Sequence, residues 1–348
     1  MKILVTGSLG YIGSVAVPIL RAAGHDVVGM DTDYYQGCDL FDSPQDPELR
    51  LDVRDVVPEH LNGIDAVVHF AALSNDPLGD LDREVTLEIN HLATIRLAEA
   101  AKAAGVGRFV FSSSCSMYGA SGDDELDEGA PLRPLTAYAE SKVRAEDDLA
   151  SLADTDFAPV FMRNATAYGV SPRLRADLVL NNLVAWAHTT GKVRILSDGT
   201  SWRPLVHVED IARAALAALE APAELVRGEA FNVGANAENH QVRDLAELVR
   251  EAVGDCTVEY AGPGGRDPRS YRVSFDKLER VLPAFRTTWT ARSGAAELVG
   301  AYRETRLDRA RFESSSFTRL ARLRELLDSG ELTDDLRWRA GRTALAAR

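Results

Sequence analysis

Tyr138 and Lys142 stand four residues apart in Tyr-Ala-Glu-Ser-Lys, a spacing that puts a phenol and an amine on one helix face. An ammonium beside a phenol favours the phenolate, so such a tyrosine can exchange protons well below the ordinary tyrosine value of about 10. The chain holds nine tyrosines and five lysines in 348 residues, which makes the coincidence uncommon. Tyr138 is therefore read as an acid/base whose pKa Lys142 lowers. Upstream, Phe111-Ser-Ser-Ser-Cys-Ser-Met-Tyr-Gly119 begins at the end of an apolar run, and one of its hydroxyls is expected to hold the oxygen that gains or loses a proton.

A second constellation binds rather than reacts. Thr6-Gly-Ser-Leu-Gly-Tyr-Ile-Gly13 joins the run Lys2–Thr6 to a helical stretch, Ile12 to Ala23. Gly7, Gly10 and Gly13 permit a tight turn, close approach of backbone to a pyrophosphate, and close helix–strand packing. Tyr11 and Ile12 carry the helix N-terminus that offers N–H donors to phosphate. Asp31 ends the next strand, where a carboxylate accepts both ribose hydroxyls of NAD and repels the extra phosphate of NADP. Its neighbours Thr32 and Asp33 are not basic, so NAD is the expected cofactor. Asp52 and Val53 could border the adenine, with Asp55 a candidate helix cap. Phe70, Ala71 and Ala72 leave the fourth strand with mostly small side chains, letting backbone pass beneath the cofactor. Ser112 lies beside the same site, and His69 reads as a packed core histidine.

These residues need a sheet to position them. Strand-like runs (2–6, 26–30, 66–70, 108–112, 159–162) alternate with helical stretches (12–23, 84–104, 137–153). The alternation predicts an α/β fold, a Rossmann-type doubly wound parallel sheet with a smaller C-terminal substrate-binding lobe. The expected division is a dinucleotide-binding domain over 1–165, with returning segments near 203–235. An interleaved substrate lobe over 166–285 and a helical extension over 286–348 complete it.

Composition narrows the partners. The formal net charge of −14 and pI near 5.0 argue against nucleic acid or an anionic membrane as a general partner. No apolar run reaches the length of a membrane span. The first strand begins at Lys2, and Cys38, Cys115 and Cys256 are odd in number and lack metal-ligand spacing, so a cytoplasmic protein with free thiols and no metal site is expected.

Taken together, Thr6–Gly13, Ser114 and Tyr138-x-x-x-Lys142 resemble the extended short-chain dehydrogenase/reductase family, in its nucleotide-sugar epimerase/dehydratase branch. The likeness runs from residue 2 to about 280. It implies that Ser114, Tyr138 and Lys142 are catalytic, that Lys142 also holds the nicotinamide ribose, and that Asn90 is structural. Asn181 and Asn182 resemble a segment with which UDP-galactose 4-epimerases contact the sugar-nucleotide. Arg203 resembles their diphosphate-binding arginine, and Asp267 an acid near the nucleotide ribose. Ser74, Ser116 and Thr166 are expected in the same substrate pocket. Some positions depart from the family pattern. Thr166 stands where the family often has Asn, and Gly264 where it usually has Arg. Cys115 and Ser116 stand where the 4,6-dehydratases carry Asp-Glu, which disfavours elimination of water.

The resemblance implies a nucleotide-sugar epimerase working through a transient 4-keto intermediate. The alternatives are a 4-keto-sugar reductase and, from a different class, a catalytically silent NAD sensor or scaffold. A homodimer, formed through the helices near 84–104 and 137–153, is the expected assembly.

Overall fold

Short runs rich in Val, Ile and Phe build a seven-stranded parallel sheet. Its strands are β1 (Lys2–Thr6), β2 (Asp26–Asp31), β3 (Leu49–Arg50), β4 (Ala66–His69), β5 (Arg108–Ser114), β6 (Ala158–Asn164) and β7 (Glu229–Val233). The computed structural model describes residues 1–42, 47–74, 76–79, 81–120, 124–260 and 270–339. Across the sheet the order is β3-β2-β1-β4-β5-β6-β7. The chain thus winds outward from β1 and then returns to place β4 on its other side. That reversal opens a crevice at the carboxyl ends of β1 and β4, where sheets of this type bind ligands.

Both faces of the sheet are covered, as its unbroken apolar strands require. Ile3, Val5, Val68, Val110 and Phe231 join one buried cluster, and Leu4, Val67, Phe109, Phe111 and Phe161 the other. A third cluster unites helices Val179–Thr190, Val242–Val253 and Ala291–Glu304 through Leu183, Leu245 and Leu298. No helix among the described residues is long and apolar enough to cross a membrane.

Two elements differ from the sequence expectation. The single helix expected over 84–104 is interrupted: Arg83–Leu87 is α-helical, Glu88–Leu92 is a π-turn, and Ala93–Ala103 resumes the α-helix. The π-turn delivers the Asn90 side chain to the loop after β4, where it accepts from Leu73 N at 2.8 Å and donates to Leu73 O at 3.1 Å. Single π-turns of this kind often occur at functional sites.

The segment 286–348 is not helical throughout. Beyond helix Arg319–Asp328, residues 329–339 form an irregular strap closed by a bridge between Leu332 and Trp338. Leu323, Leu326, Leu332 and Leu336 are buried in the same cluster as Leu4 and Met30. The strap therefore returns to the outer edge of the sheet: Trp338 Nε1 donates to Thr32 O at 2.7 Å, and Arg54 Nη1 to Asp335 O at 2.7 Å.

Candidate active site

The crevice is a continuous cavity running from the glycine loop and Asp31 to the carboxyl end of β5 and the start of helix Ala137–Ser151. Gly7 opens the loop at φ +69°, and a Cβ there would lie 2.7 Å from Ala71 N. A Cβ on Gly13 would lie 2.0 Å from Gly7 O. The outer glycines thus allow the loop to close on itself and on β4, and the loop backbone lines the cavity without side chains.

Asp31 is held by that loop. Its Oδ2 accepts from Leu9 N at 2.9 Å and its Oδ1 from Asp33 N at 2.7 Å. Burial raises its pKa, and these backbone N–H groups pull the other way. The carboxylate lines the cavity together with Asp52, Val53, Phe70, Ala71 and Ala72. Asp52, not Asp55, is the cap of its short helix, accepting from Arg54 N at 2.9 Å. Tyr11 also lines the cavity, but its hydroxyl points into the fold and donates to Gly169 O at 2.8 Å.

Tyr138 occupies the first turn of its helix, and Thr136 caps that turn, accepting from Ala139 N at 3.2 Å. A helix N-terminus favours negative charge, so the backbone itself assists a phenolate there. Lys142 lies one turn on, its ammonium 5.8 Å from the Tyr138 ring centroid and 4.5 Å from that of Phe111. Its Nζ donates to Ser112 O at 2.7 Å. Ser114 caps the following turn, accepting from Ser116 N at 3.2 Å. Asn90 donates to Ser141 Oγ at 3.2 Å, and Ser141 donates to Tyr138 O at 2.7 Å. The π-turn thereby ties the β4 loop to the helix bearing the phenol.

The electrostatics differ from expectation in one respect. Burial pushes the Tyr138 phenol up to about 12, opposed by its hydrogen bond with Ser114 and by Arg175. The same burial pushes Lys142 down to about 7, opposed by Glu146. In the protein alone, desolvation outweighs the mutual attraction that the spacing suggests. His69 is a core residue as expected: 1% exposed, hydrogen-bonded to Thr6 at 2.6 Å and Thr94 at 2.8 Å, and pushed down to about 3 by burial.

Of the residues expected to hold substrate, Ser74, Ser114, Ser116, Thr166 and Arg203 line the cavity. Asn181 and Asn182 do not. Asn181 is fully buried, accepting from Gly169 N at 3.0 Å and donating to Arg175 O at 3.0 Å. Asn182 donates to Ala176 O at 2.8 Å. Both carboxamides hold the loop before their own helix. Asp267 and Gly264 lie outside the described residues.

Several further cavity residues were not among those expected to hold cofactor or substrate. Arg175 is buried, pairs with Asp177 at 2.9 Å and donates to Ser74 Oγ at 3.2 Å. The charge-dense Ser-Pro-Arg-Leu-Arg-Ala-Asp177 segment, one residue beyond Tyr168-Gly169, was the available signal. Asn164, the last residue of β6, donates to Ser112 Oγ at 3.0 Å, and its own Oδ1 is buried without a partner. Arg319 also lines the cavity, from the C-terminal helix.

The profile of the NAD dependent epimerase/dehydratase family matches residues 3–234. The chain belongs to that family. It is 31% identical over 304 residues to the UDP-glucose 4-epimerase of Corynebacterium glutamicum, covering 81% of this chain and 90% of that protein. It is 32% identical to the corresponding enzyme of Mycolicibacterium smegmatis, covering 81% and 92%. Among solved structures, MoeE5 in complex with UDP-glucuronic acid and NAD superposes with a TM-score of 0.74 at 30% identity, covering 88% of this chain and all (100%) of that one. The dTDP-glucose 4,6-dehydratase DesIV of Streptomyces venezuelae gives a TM-score of 0.75 at 28% identity, covering 88% and 98%. The chain is thus similar to members of the family that catalyse different reactions, and the site must decide between them.

Proposed function

We propose that this protein is an NAD-dependent nucleotide-sugar 4-epimerase. The observation that carries the reading is that Ser114, Tyr138 and Lys142 share one cavity with the glycine loop and Asp31. A sugar hydroxyl held by Ser114 would lie beside the phenol, while the glycine cradle and the Asp31 carboxylate suit a dinucleotide's pyrophosphate and ribose. NAD supplies the hydride acceptor and donor. Tyr138 takes the proton of the C4 hydroxyl as the ketone forms, Ser114 holds the same oxygen, and Lys142 stabilises the phenolate and binds the nicotinamide ribose. After the 4-keto sugar turns in the pocket, Tyr138 returns the proton and the opposite configuration results.

The residues after Ser114 support this reaction over elimination. Cys115 is fully buried, its thiol donating to Arg163 O at 3.0 Å, and burial raises its pKa far above neutrality. Ser116 lines the cavity but carries no carboxyl group. Neither can act as the acid/base pair that removes water. Retention of the Ser114, Tyr138 and Lys142 set favours an enzyme over a silent sensor, and Asp31 favours NAD over the NADPH common among reductases.

Incubating the purified protein with UDP-glucose, UDP-glucuronic acid and dTDP-glucose, without added reductant, tests the reading. NMR should show a C4 epimer of at least one of them. A product formed only when NADH or NADPH is added would overturn it in favour of a reductase. A 4-keto-6-deoxy product would identify a dehydratase.

Asp31→Ala should weaken NAD binding by at least about tenfold, because it removes both the ribose acceptor and the anchor of Leu9 N. Its relative affinity for NADP should rise, as titration of both dinucleotides would show. The same reading includes a homodimer, for which light scattering should give twice the chain mass of 37.8 kDa.

A further inference from the structure

Arg319 is a buried cation that forms no ion pair with an acid among the described residues, although the Asp177 and Asp39 carboxylates lie near enough to attract it. It is 2% exposed, begins helix Arg319–Asp328, and lines the cavity. Its guanidinium lies 3.8 Å from the Tyr35 ring centroid, and its Nη2 donates to Arg173 O at 2.8 Å. Nη1 has no hydrogen-bond partner, and no carboxylate among the described residues pairs with the side chain. The arginines around it are compensated. Arg173 pairs with Asp33 at 3.2 Å and Asp39 at 2.8 Å, and Arg175 with Asp177 at 2.9 Å. An unpaired buried charge is among the most costly features a fold can carry, and one left facing a cavity calls for an anion from outside the chain.

The position selects which anion. Tyr35 follows β2, whose last residue is Asp31, and Arg173 pairs with Asp33 in the same turn. Arg319 therefore lies beside the turn that follows Asp31, in the cavity that Asp31 also lines. The strap holds it there: Trp338 and Leu336 bond to Thr32 and Tyr34, between Asp31 and Tyr35. We infer that Arg319, brought in by the C-terminal strap, binds a phosphate of the dinucleotide and retains the cofactor between turnovers. The inference rests on the NAD reading above. A guanidinium meets phosphate oxygens with two parallel donors, which lysine cannot reproduce.

Calorimetric titration of NAD and, separately, of UDP and dTDP into wild type, Arg319→Met and Arg319→Lys tests it. Arg319→Met should weaken NAD about 10- to 100-fold, the range for one lost charged hydrogen-bond set, and Arg319→Lys less. The affinity for UDP and dTDP should stay within about twofold of wild type in both variants. Without NAD, Arg319→Met should melt at or above the wild-type temperature, because a buried charge without a direct ion pair has been replaced by an apolar chain of similar length. Unchanged NAD affinity would overturn the inference, as would weakened nucleoside-diphosphate binding with NAD unaffected. A variant that melts far below wild type or fails to fold would identify a structural guanidinium instead. If wild type itself binds no NAD, the cofactor reading falls and this inference with it.

Discussion

Replacing Tyr138 with Phe should lower kcat by about 10²- to 10⁴-fold, the range for loss of a positioned general acid/base. The ring remains, so its packing against Gly79, where a Cβ would come 2.9 Å from Tyr138 Cβ, is preserved. NAD affinity should change by less than about threefold, since on the proposed reading the glycine loop and Asp31, not the phenol, hold the dinucleotide. Steady-state kinetics alongside fluorescence titration of NAD separates the two effects. A variant that keeps even a tenth of wild-type turnover would remove Tyr138 from the chemistry.

Lys142→Met should abolish turnover to a similar degree, and combining it with Tyr138→Phe should cost little more than either alone. Two groups that act as one proton-transfer unit are strongly non-additive. Stability should move the other way. Burial pushes the Lys142 ammonium down to about 7, whereas an unfolded lysine titrates near 10.4. Between those values the unfolded chain binds the extra proton, so wild-type stability rises with pH across that window. The methionine variant lacks this dependence. It should melt above wild type near pH 7 in the absence of NAD, with the advantage shrinking towards pH 10. Thermal melts at several pH values would report it, and a variant uniformly less stable than wild type would contradict the desolvation described for Lys142.

The fold was legible because its signals are local. The apolar runs ending at Thr6, Asp31, Phe70 and Ser112 each have the length and flanking residues of a buried parallel strand, and each lies in the sheet in that role, to within two residues at its end. The glycine loop and the Tyr138/Lys142 spacing were legible for the same reason, since their geometry is contained within one turn or one helix. What escaped depends on long-range placement. Asn181 sits on a helix beside the site, but nothing in its neighbours shows that Gly169 and Arg175 consume its carboxamide. The π-turn at Glu88–Leu92 contains Asn90, which bonds to the distant Leu73, a pairing no local pattern announces. Lys142 looked like an activator of its tyrosine by spacing alone, yet the depth of the pocket, which only the assembled fold creates, dominates both pKa values. Arg319 was equally invisible: its helix shows Leu320, Leu323, Leu326 and Leu327 on one face, but not what that face covers.

On the proposed reading, Tyr138 would move the proton at one sugar carbon while bound NAD would supply the hydride chemistry for both its oxidation and its reduction. A nucleotide sugar deuterated at C4, supplied to the protein without added cofactor, tests that cycle most directly. The expected product is an epimer that keeps its deuterium at C4, unaffected by unlabelled NADH in the surrounding solution. Loss of the label to solvent or to added NAD, or no product until NADH is supplied, would contradict it.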